Sequence, residues 1–527
     1  MGRELDNIDL TVSQRKEITA LLKRYLPNIE VWAYGSRVKF AAKPSSDLDM
    51  AAFASKDQSL AITNLIEAFE ESSLPFRVDL FIWDEIPEQF HKNIEAERVV
   101  LQRMKKQSDL PDGWEEKTIG EFCPFTYGKN LLKKMRDDTG DVPVFGANGI
   151  IGFHAKPYVD QSGIIIGRKG TVGAVTYSPK SFWPIDTTFY VTNDEYRDLR
   201  YTFYLLKSIG LEDMNADSAV PGLNRSAAHA RRILIPPLPE QKAIAHILGS
   251  LEDKIELNRR MNETLEAMAQ TLFKSWFVDF DPVIDNALAA GNEIPDPLKE
   301  RAEIRKALGD AHKPLPEELR NLFPSEFEHT EEMGWIPKGW KISTVGEFLD
   351  RVTVKKRYKK NSVSNFGLTP VYEQGANILL GYHNNKAEIS AAITDPAFIF
   401  GDHTCVMKLS VRSFSVSENV IPLKGKLHNT CWVYYAIKDK QKFEEYRRHW
   451  MELIIKQVIS PTSNLSDIFA REVSQNIVKQ QNIFHQISIL SHLRDTLLPK
   501  LLSGEIRIPE AEKLIKSMNK NGVNYKR

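Results

Sequence analysis

Three aspartates carry the first chemical signal. Asp47 and Asp49 stand two residues apart at the head of an apolar strand. Side chains alternate along a strand, so both carboxylates leave the same face. Asp79 sits mid-strand in Arg77-Val-Asp-Leu-Phe-Ile-Trp83, among Val78, Leu80 and Ile82. An unpaired carboxylate there would be costly to bury. If the two strands lie side by side, three oxygen ligands converge. Such a set suits Mg²⁺, which keeps waters and binds nucleotide phosphates. Upstream, Gly35 allows close backbone approach, and Ser36 with nearby N–H groups can hold a phosphate. In the plainer reading Asp47 caps a turn and Asp49 is solvated. Arg37, beside Ser36, serves equally as a phosphate ligand or as a surface arginine.

The surrounding elements must position these groups. Thr11 to Tyr25 predicts a helix, with Thr11 and Gln14 at capping-box spacing. Glu30 to Tyr34 predicts a strand, Gln58 to Glu71 a helix, and Pro87 to Met104 another helix. Gly35-Ser36, about ten residues, Asp47-x-Asp49, then Asp79 on a later strand: this order resembles the minimal nucleotidyltransferases of the DNA polymerase beta superfamily. The resemblance covers nearly all of residues 1–106. It implies nucleotidyl transfer from a nucleoside triphosphate with Mg²⁺. Asp47, Asp49 and Asp79 would be the catalytic and metal-binding carboxylates, and Gly35 and Ser36 the nucleotide-binding residues. In small members related to antitoxins it implies AMP transfer to a partner protein.

Beyond residue 110 a long helix and a repeat organise the chain. From Pro239 to Phe277 apolar residues recur at three and four, through Ile244, Leu248, Leu251, Ile255, Met261, Leu265, Met268, Leu272 and Trp276. Such a helix is roughly 55 Å long, and its single stripe needs a partner. Ile483, Ile487, Leu490, Leu497 and Leu501, within Asn476–Leu502, have compatible spacing. Because a long folded segment separates the two, they predict an antiparallel coiled coil, with two separately packed helices as the alternative. Pro111-Asp-Gly-Trp114 and Ile119-Gly-Glu-Phe122 return as Pro337-Lys-Gly-Trp340 and Val345-Gly-Glu-Phe348. Pro143-Val-Phe145 returns as Pro370-Val-Tyr372, and Gly152-Phe-His154 as Gly381-Tyr-His383. An offset of about 230 residues is too long for a solenoid and means a duplicated domain.

With this layout, Ile164–Gly173 (IIIGRKGTVG), Phe182–Val191 (FWPIDTTFYV), Pro236–Gln241 (PPLPEQ), Ser275–Pro282 (SWFVDFDP) and Leu497–Ile506 (LLPKLLSGEI) resemble, in that order, the specificity subunits of type I restriction-modification enzymes. The resemblance covers about four fifths of the chain. It implies that each repeat is a target-recognition domain reading half of a split, asymmetric site in double-stranded DNA. The helices would act as a ruler and as the docking surface for methyltransferase subunits. The chain would neither methylate nor cut. Two methyltransferase subunits using S-adenosylmethionine, and a motor-nuclease subunit using ATP, would supply those activities. The chain has no Walker A glycine-lysine loop and no recognisable methyltransferase signature of its own.

Candidate DNA contacts are basic. Arg168 and Lys169 occupy the Gly167–Gly170 turn of an expected hairpin, where arginine can pair bidentately with guanine. An ordinary surface hairpin is the alternative. Lys355, Lys356, Arg357, Lys359 and Lys360 flank Tyr358 and would touch the DNA backbone, or form a solvated charge run. Gly401-Asp402-His403 replaces Gly167-Arg168-Lys169 in the second copy, so half-sites read by these turns would differ. Tyr446 to Trp450 is a further candidate contact or a helix end.

Composition sets the outer bounds. The formal net charge is zero over 527 residues, so bulk charge does not announce a nucleic-acid binder. Residues 334–475 nevertheless carry about +7, which suits phosphate contact. Three scattered cysteines form no metal or disulfide spacing. With no apolar leader and no run approaching a membrane span, a reducing cytoplasm is expected. The expected fold is α+β multidomain: a small mixed-sheet nucleotidyltransferase-like domain (1–106), α/β recognition domains (110–238 and 334–475), spacer helices (239–278 and 476–507), a polar crossover linker (279–333) with one short helix, and a flexible tail (508–527). A rival reading makes the first domain an AMP-transferring regulator that the recognition domains only localise.

Overall fold

In the computed structural model, which describes residues 8–26, 29–54, 58–103, 110–136, 140–214, 222–309, 314–375 and 377–523, the first helix begins where the sequence caps it. Thr11 Oγ1 accepts from the Gln14 amide (3.3 Å), and Gln14 Oε1 accepts from the Thr11 amide (2.8 Å). Helix α1 (Val12–Tyr25) leads into strand β1 (Val31–Tyr34), β2 (Leu48–Ala52), α2 (Ser59–Glu70), β3 (Val78–Ile82), α3 (Glu88–Glu97) and β4 (Val99–Gln102). The sheet order is β3-β2-β1-β4, with β2 and β3 parallel and the other pairs antiparallel. Alternation explains the layers. Val31, Ala33, Leu48, Met50 and Leu80 face α1 and α2 through Ile18, Leu22, Leu65 and Phe69. Trp32 and Ala51 point the other way, onto Ile94 of α3 and Ile86. The last helix stops at Glu97, short of the expected Met104, because the β-branched pair at Val99 starts a strand against β1. Met104, the expected end of that helix, and the interval up to residue 109 lie outside the described residues.

Residues 1–249 with 496–519 form one compact unit, and 250–495 with 520–527 another. Each holds one copy of the repeat. In the first copy Glu115–Thr118 pairs antiparallel with Arg232–Ile235. A four-stranded sheet runs Val175–Ser178, Gly163–Gly167, Thr188–Thr192, Thr126–Tyr127. A three-stranded one runs Trp183–Pro184, Val142–Gly146, Gly149–His154. In the second copy Lys341–Thr344 pairs with Gln457–Ser460. The sheets run Met407–Ser410, Ala397–Gly401, Val420–Gly425, Leu349–Arg351, and Ser415–Val416, Thr369–Tyr372, Leu379–His383. Order and direction match throughout, including the parallel pairs Val144–Trp183 and Val371–Ser415. The irregularities match too. A register shift falls at Val144/Phe145 and at Val371/Tyr372, and Gly152 (φ +152°) corresponds to Gly381 (φ +155°). One difference from expectation concerns the hairpin after Gly163. Its second strand starts only at Val175, because Gly170 and Gly173 both adopt positive φ and lengthen the turn.

The long helices span Leu238–Phe277 and Ser463–Leu502. The second starts well before Asn476, because Phe469, Val473 and Ile477 extend its apolar stripe into the core around Phe273, Trp276 and Phe277. Within the second unit the helices run antiparallel. Glu252 meets Arg494 (3.8 Å), Asn258 meets Gln486 (3.4 Å), and Glu266 meets Gln480 (3.1 Å). The stretch after Phe277 is more ordered than a polar crossover. It forms helices Asp281–Ala290, Asp296–Ala307 and Glu317–Arg320, then a hairpin of Phe327–Thr330 with Gly334–Pro337. Pro282 and Pro297 start the first two of these helices, and buried Asp281 holds Ser275 (2.7 Å) and Arg301 (2.7 Å). The expected flexible tail is in fact a helix, Ile508–Val523. Glu510 caps it through the Arg507 amide (3.2 Å), and Ala511 is fully buried. Among the described residues no helix is long and apolar enough to cross a membrane, and the three cysteines are free.

Candidate functional site

The carboxylates come together through strand register. Asp49 on β2 stands opposite Asp79 on β3, and Tyr34 on β1 stands opposite Asp49. Residues opposite one another share a face of the sheet, so Tyr34, Asp49 and Asp79 form one row across three strands. Asp47 lies just ahead of β2 on the same face and is exposed. Asp49 is half-buried. Burial raises its pKa, and the charges of Asp79 and Asp47 raise it further. Asp79 leans on Arg77, whose Nε lies 2.9 Å from its Oδ1. The Tyr34 phenol is pushed up to about 12, by burial first and then by Asp49 and Asp79. Among the described residues, no three Asp, Glu, His or Cys side chains are gathered closely enough to hold a metal ion by themselves.

Gly35 follows β1 with φ +82°. A Cβ there would lie 2.4 Å from Asp49 Oδ2, so the missing side chain is what admits the carboxylate. Ser36 is half-exposed, and its carbonyl accepts from the Ala41 amide (3.0 Å), closing the turn. Arg37 is not a surface residue. It is 5% exposed, and its guanidinium donates to the carbonyls of Ser46 (2.6 Å), Asp9 (3.1 Å) and Pro44 (3.2 Å) while lying 3.7 Å over the Phe76 ring. It therefore fixes the loop that delivers Asp47. Nothing in the sequence near Arg37 announced this role. Nor does the sequence mark Tyr34, since only the pairing of β1 with β2 brings it to the carboxylates.

The basic candidates divide. Arg168 donates Nε and Nη2 to the Asp186 carbonyl (3.2 and 2.7 Å), so half its fork is committed to the fold, while Lys169 is exposed. Arg357 donates to the carbonyls of Ser417 (2.7 Å) and Val420 (2.8 Å). Lys359 lies 3.6 Å from Glu418, and Lys356 lies 4.8 Å over the buried Tyr358 ring. Lys355 and Lys360 are exposed. Tyr446 stacks on His403 at 4.9 Å, and Trp450 opens the short helix Trp450–Ile454.

Motifs far apart in sequence meet at the base of the first long helix. Glu240 accepts from Trp114 Nε1 (3.0 Å) and from Arg507 Nη2 (3.1 Å). Gln241, 2% exposed, donates to the Pro236 carbonyl (2.9 Å) and accepts from the Asp198 amide (3.0 Å). Gly504 lies so close to Pro111 that a Cβ would sit 2.8 Å from its Cγ. The DGW, PEQ and SGEI segments are thus one joint. Nearby, Arg24 of α1 holds Asp213 of the first repeat through two oxygens (2.8 and 2.7 Å), which ties the N-terminal domain to that repeat.

Residues 111–267 match the type I restriction modification DNA specificity domain, and residues 16–107 match the polymerase beta nucleotidyltransferase domain. A type I restriction enzyme specificity subunit of Methanocaldococcus jannaschii is 25% identical over 442 residues, covering 77% of this chain and 97% of that one. The probable protein adenylyltransferase MntA of Haemophilus influenzae is 39% identical over 105 residues, covering 20% of this chain and 92% of that one. A solved type I restriction-modification S subunit from M. genitalium is 17% identical and covers 75% of this chain and 97% of its own, with a TM-score of 0.48.

Proposed function

The chain belongs to the specificity subunits of type I restriction-modification systems and carries a nucleotidyltransferase domain at its N-terminal side; from this we propose that it selects a two-part DNA sequence for a methyltransferase complex. Subunits of this family bind DNA and assemble with methyltransferase and nuclease partners. The observation that carries the two-part reading is the duplication. The two repeats share strand order, direction and bulges, yet differ at corresponding turns, where Arg168 is half-buried and Lys169 exposed in one copy, and Asp402 is buried and His403 half-buried in the other. Two equal scaffolds with unequal surfaces suit two unequal half-sites. The antiparallel helices would set the spacing between half-sites and offer seats to two methyltransferase subunits, with S-adenosylmethionine and ATP bound by the partners in the cytoplasm. Co-expression with a methyltransferase partner and genome-wide mapping of methylated adenines tests this. A motif of two short halves separated by a fixed gap supports it, and a well-formed complex that methylates nothing refutes it.

A second activity is favoured by the row of carboxylates. The carboxylates do not form a metal site by themselves, so a divalent cation would be held jointly with the phosphates of a bound nucleotide. Asp47, Asp49 and Asp79 offer oxygen donors on one face, burial and then the charges of Asp79 and Asp47 raise the Asp49 pKa, and Gly35 leaves the approach to Asp49 open. Asp47, Asp49 and Asp79 would hold Mg²⁺, and the Gly35-Ser36 turn would receive the phosphates of a nucleoside triphosphate. The cation, when bound, neutralises phosphate charge. The three aspartates position it, and an ionised carboxylate of the row would take the proton of the acceptor hydroxyl. Asp47→Ala with Asp49→Ala should abolish labelling of protein acceptors from radiolabelled ATP and leave the methylated motif unchanged. Loss of DNA specificity in that variant would place the domain within the reading machinery. Loss of the protein's main cellular effect, with methylation intact, would favour a regulator that the recognition domains localise.

A further inference from the structure

Each recognition domain has one corner where the same backbone bonds carry different side chains. In the first copy the strand Gly163–Gly167 ends at Gly167, which pairs with Thr188. The next carbonyl, that of Arg168, accepts from the Leu223 amide (2.9 Å) just before the short helix Arg225–Ala230. In the second copy the strand Ala397–Gly401 ends at Gly401, which pairs with Val420. The next carbonyl, that of Asp402, accepts from the His449 amide (2.8 Å) just before the short helix Trp450–Ile454. Three separate segments are therefore clamped alike in both copies.

The side chains on this frame do not repeat. In the first copy Tyr127 is 47% exposed, with the guanidinium of Arg225 4.8 Å and that of Arg168 5.5 Å over its ring. In the second, a cleft of about 450 Å³ is lined by Arg351, Arg357, Arg448, Asn419, Trp450 and Met451. Its two carboxylates are already engaged. Asp402 accepts from the Trp450 amide (3.0 Å) and lies 3.7 Å from Arg448, and Glu418 lies 3.6 Å from Lys359. Arg357 is braced by two carbonyls, and its charge is disfavoured by burial and then by the neighbouring Arg351. Asn419 holds a left-handed backbone (φ +59°) at the rim, a conformation asparagine adopts more readily than other residues with side chains. A cleft with arginines crowding one another and an aromatic wall suits an anionic ligand with flat faces. Double-stranded DNA offers phosphates at its backbone and acceptors at guanine edges.

We propose that this corner is the reading head of each recognition domain. Tyr127, Arg168 and Arg225 contact one half-site, and Arg351, Arg448, Asn419 and Trp450 contact the other. The inference rests on the specificity reading above and deepens it by naming the contacts. A shared frame with exchangeable side chains lets the two half-sites differ without disturbing either fold. It also moves the main second-copy contacts away from the lysines at 355–360, leaving those to the DNA backbone.

The test uses the full chain in its complex with the methyltransferase partner. Arg351→Ala, Arg448→Ala and Trp450→Ala should each relax one half of the methylated motif and leave the other half intact. Each should weaken binding to the cognate duplex about ten- to hundredfold, the usual cost of a lost base contact. Tyr127→Ala and Arg225→Ala should relax the opposite half only. Arg448→Lys keeps the charge and guards against loss of folding. It should retain duplex affinity within a few fold yet still blur the motif, since lysine lacks the guanidinium fork. An unchanged motif in both sets, with the wild-type complex methylating a split sequence, overturns this inference alone. A wild-type complex that methylates no split sequence overturns it together with the reading it rests on.

Discussion

Gly35 shows how one residue governs the nucleotidyltransferase face. An added methyl would meet Asp49 Oδ2 at 2.4 Å on a backbone with φ +82°. Gly35→Ala should therefore destabilise the N-terminal domain by about 1–3 kcal/mol and abolish nucleotide transfer, as read by thermal melting and by ATP labelling. Asp49 gives a pH signature. Its folded-state pKa is raised, so the folded domain holds that proton more tightly than the unfolded chain does. Stability from this group is full below the ordinary carboxylate range and falls as pH rises through the raised value. Asp49→Asn should then raise the domain's melting temperature at pH 7 but not at pH 4, while ending transfer activity. A variant less stable than wild type at pH 7 would contradict the burial and repulsion described for Asp49. Aspartate spacing and the glycine were readable in the sequence, because alternation along a strand is a local rule. Arg37 and Tyr34 were not, because their roles depend on loop burial and strand register that only the folded sheet supplies.

At the scale of elements, the paired helices are pinned by polar groups as well as by their stripe. Glu266 meets Lys438, Tyr435 (3.2 Å) and Gln480 (3.1 Å). Burial alone would raise its pKa, but the Lys438 charge and these hydrogen bonds outweigh burial and hold it below the usual range. A lowered folded-state pKa contributes stability above the ordinary glutamate range, and that contribution is lost as pH falls through the lowered value. Glu266→Ala should cost about 1–3 kcal/mol at pH 7 and noticeably less near pH 3, measured by denaturant melts. The stripe from Ile244 to Trp276 was legible as helix because its period is local. The early start of the second helix at Ser463 was hidden, because Phe469 and Val473 gain meaning only against Phe273 and Trp276. The helix Ile508–Val523 resembles a tail in sequence, because its short apolar face looks unpartnered, whereas in the fold Ala511 is buried.

For the whole molecule, the repeat was the most informative feature of the sequence, and its structure is duplicated down to bulges and glycine conformations. What the sequence hid is the corner proposed to face DNA on each repeat, since it is assembled from three distant segments. Because phosphate contacts release counterions, the affinity of the complex for its duplex should fall linearly in log–log form with salt, losing about a thousandfold or more between 50 and 200 mM if six or more phosphates are held. The most direct test of the central claim exchanges one recognition domain for that of another specificity subunit and maps methylated adenines by single-molecule sequencing. The account predicts a split motif in which only the half assigned to the exchanged domain changes, with the gap length kept. A motif that stays whole, or one in which both halves change together, would contradict it.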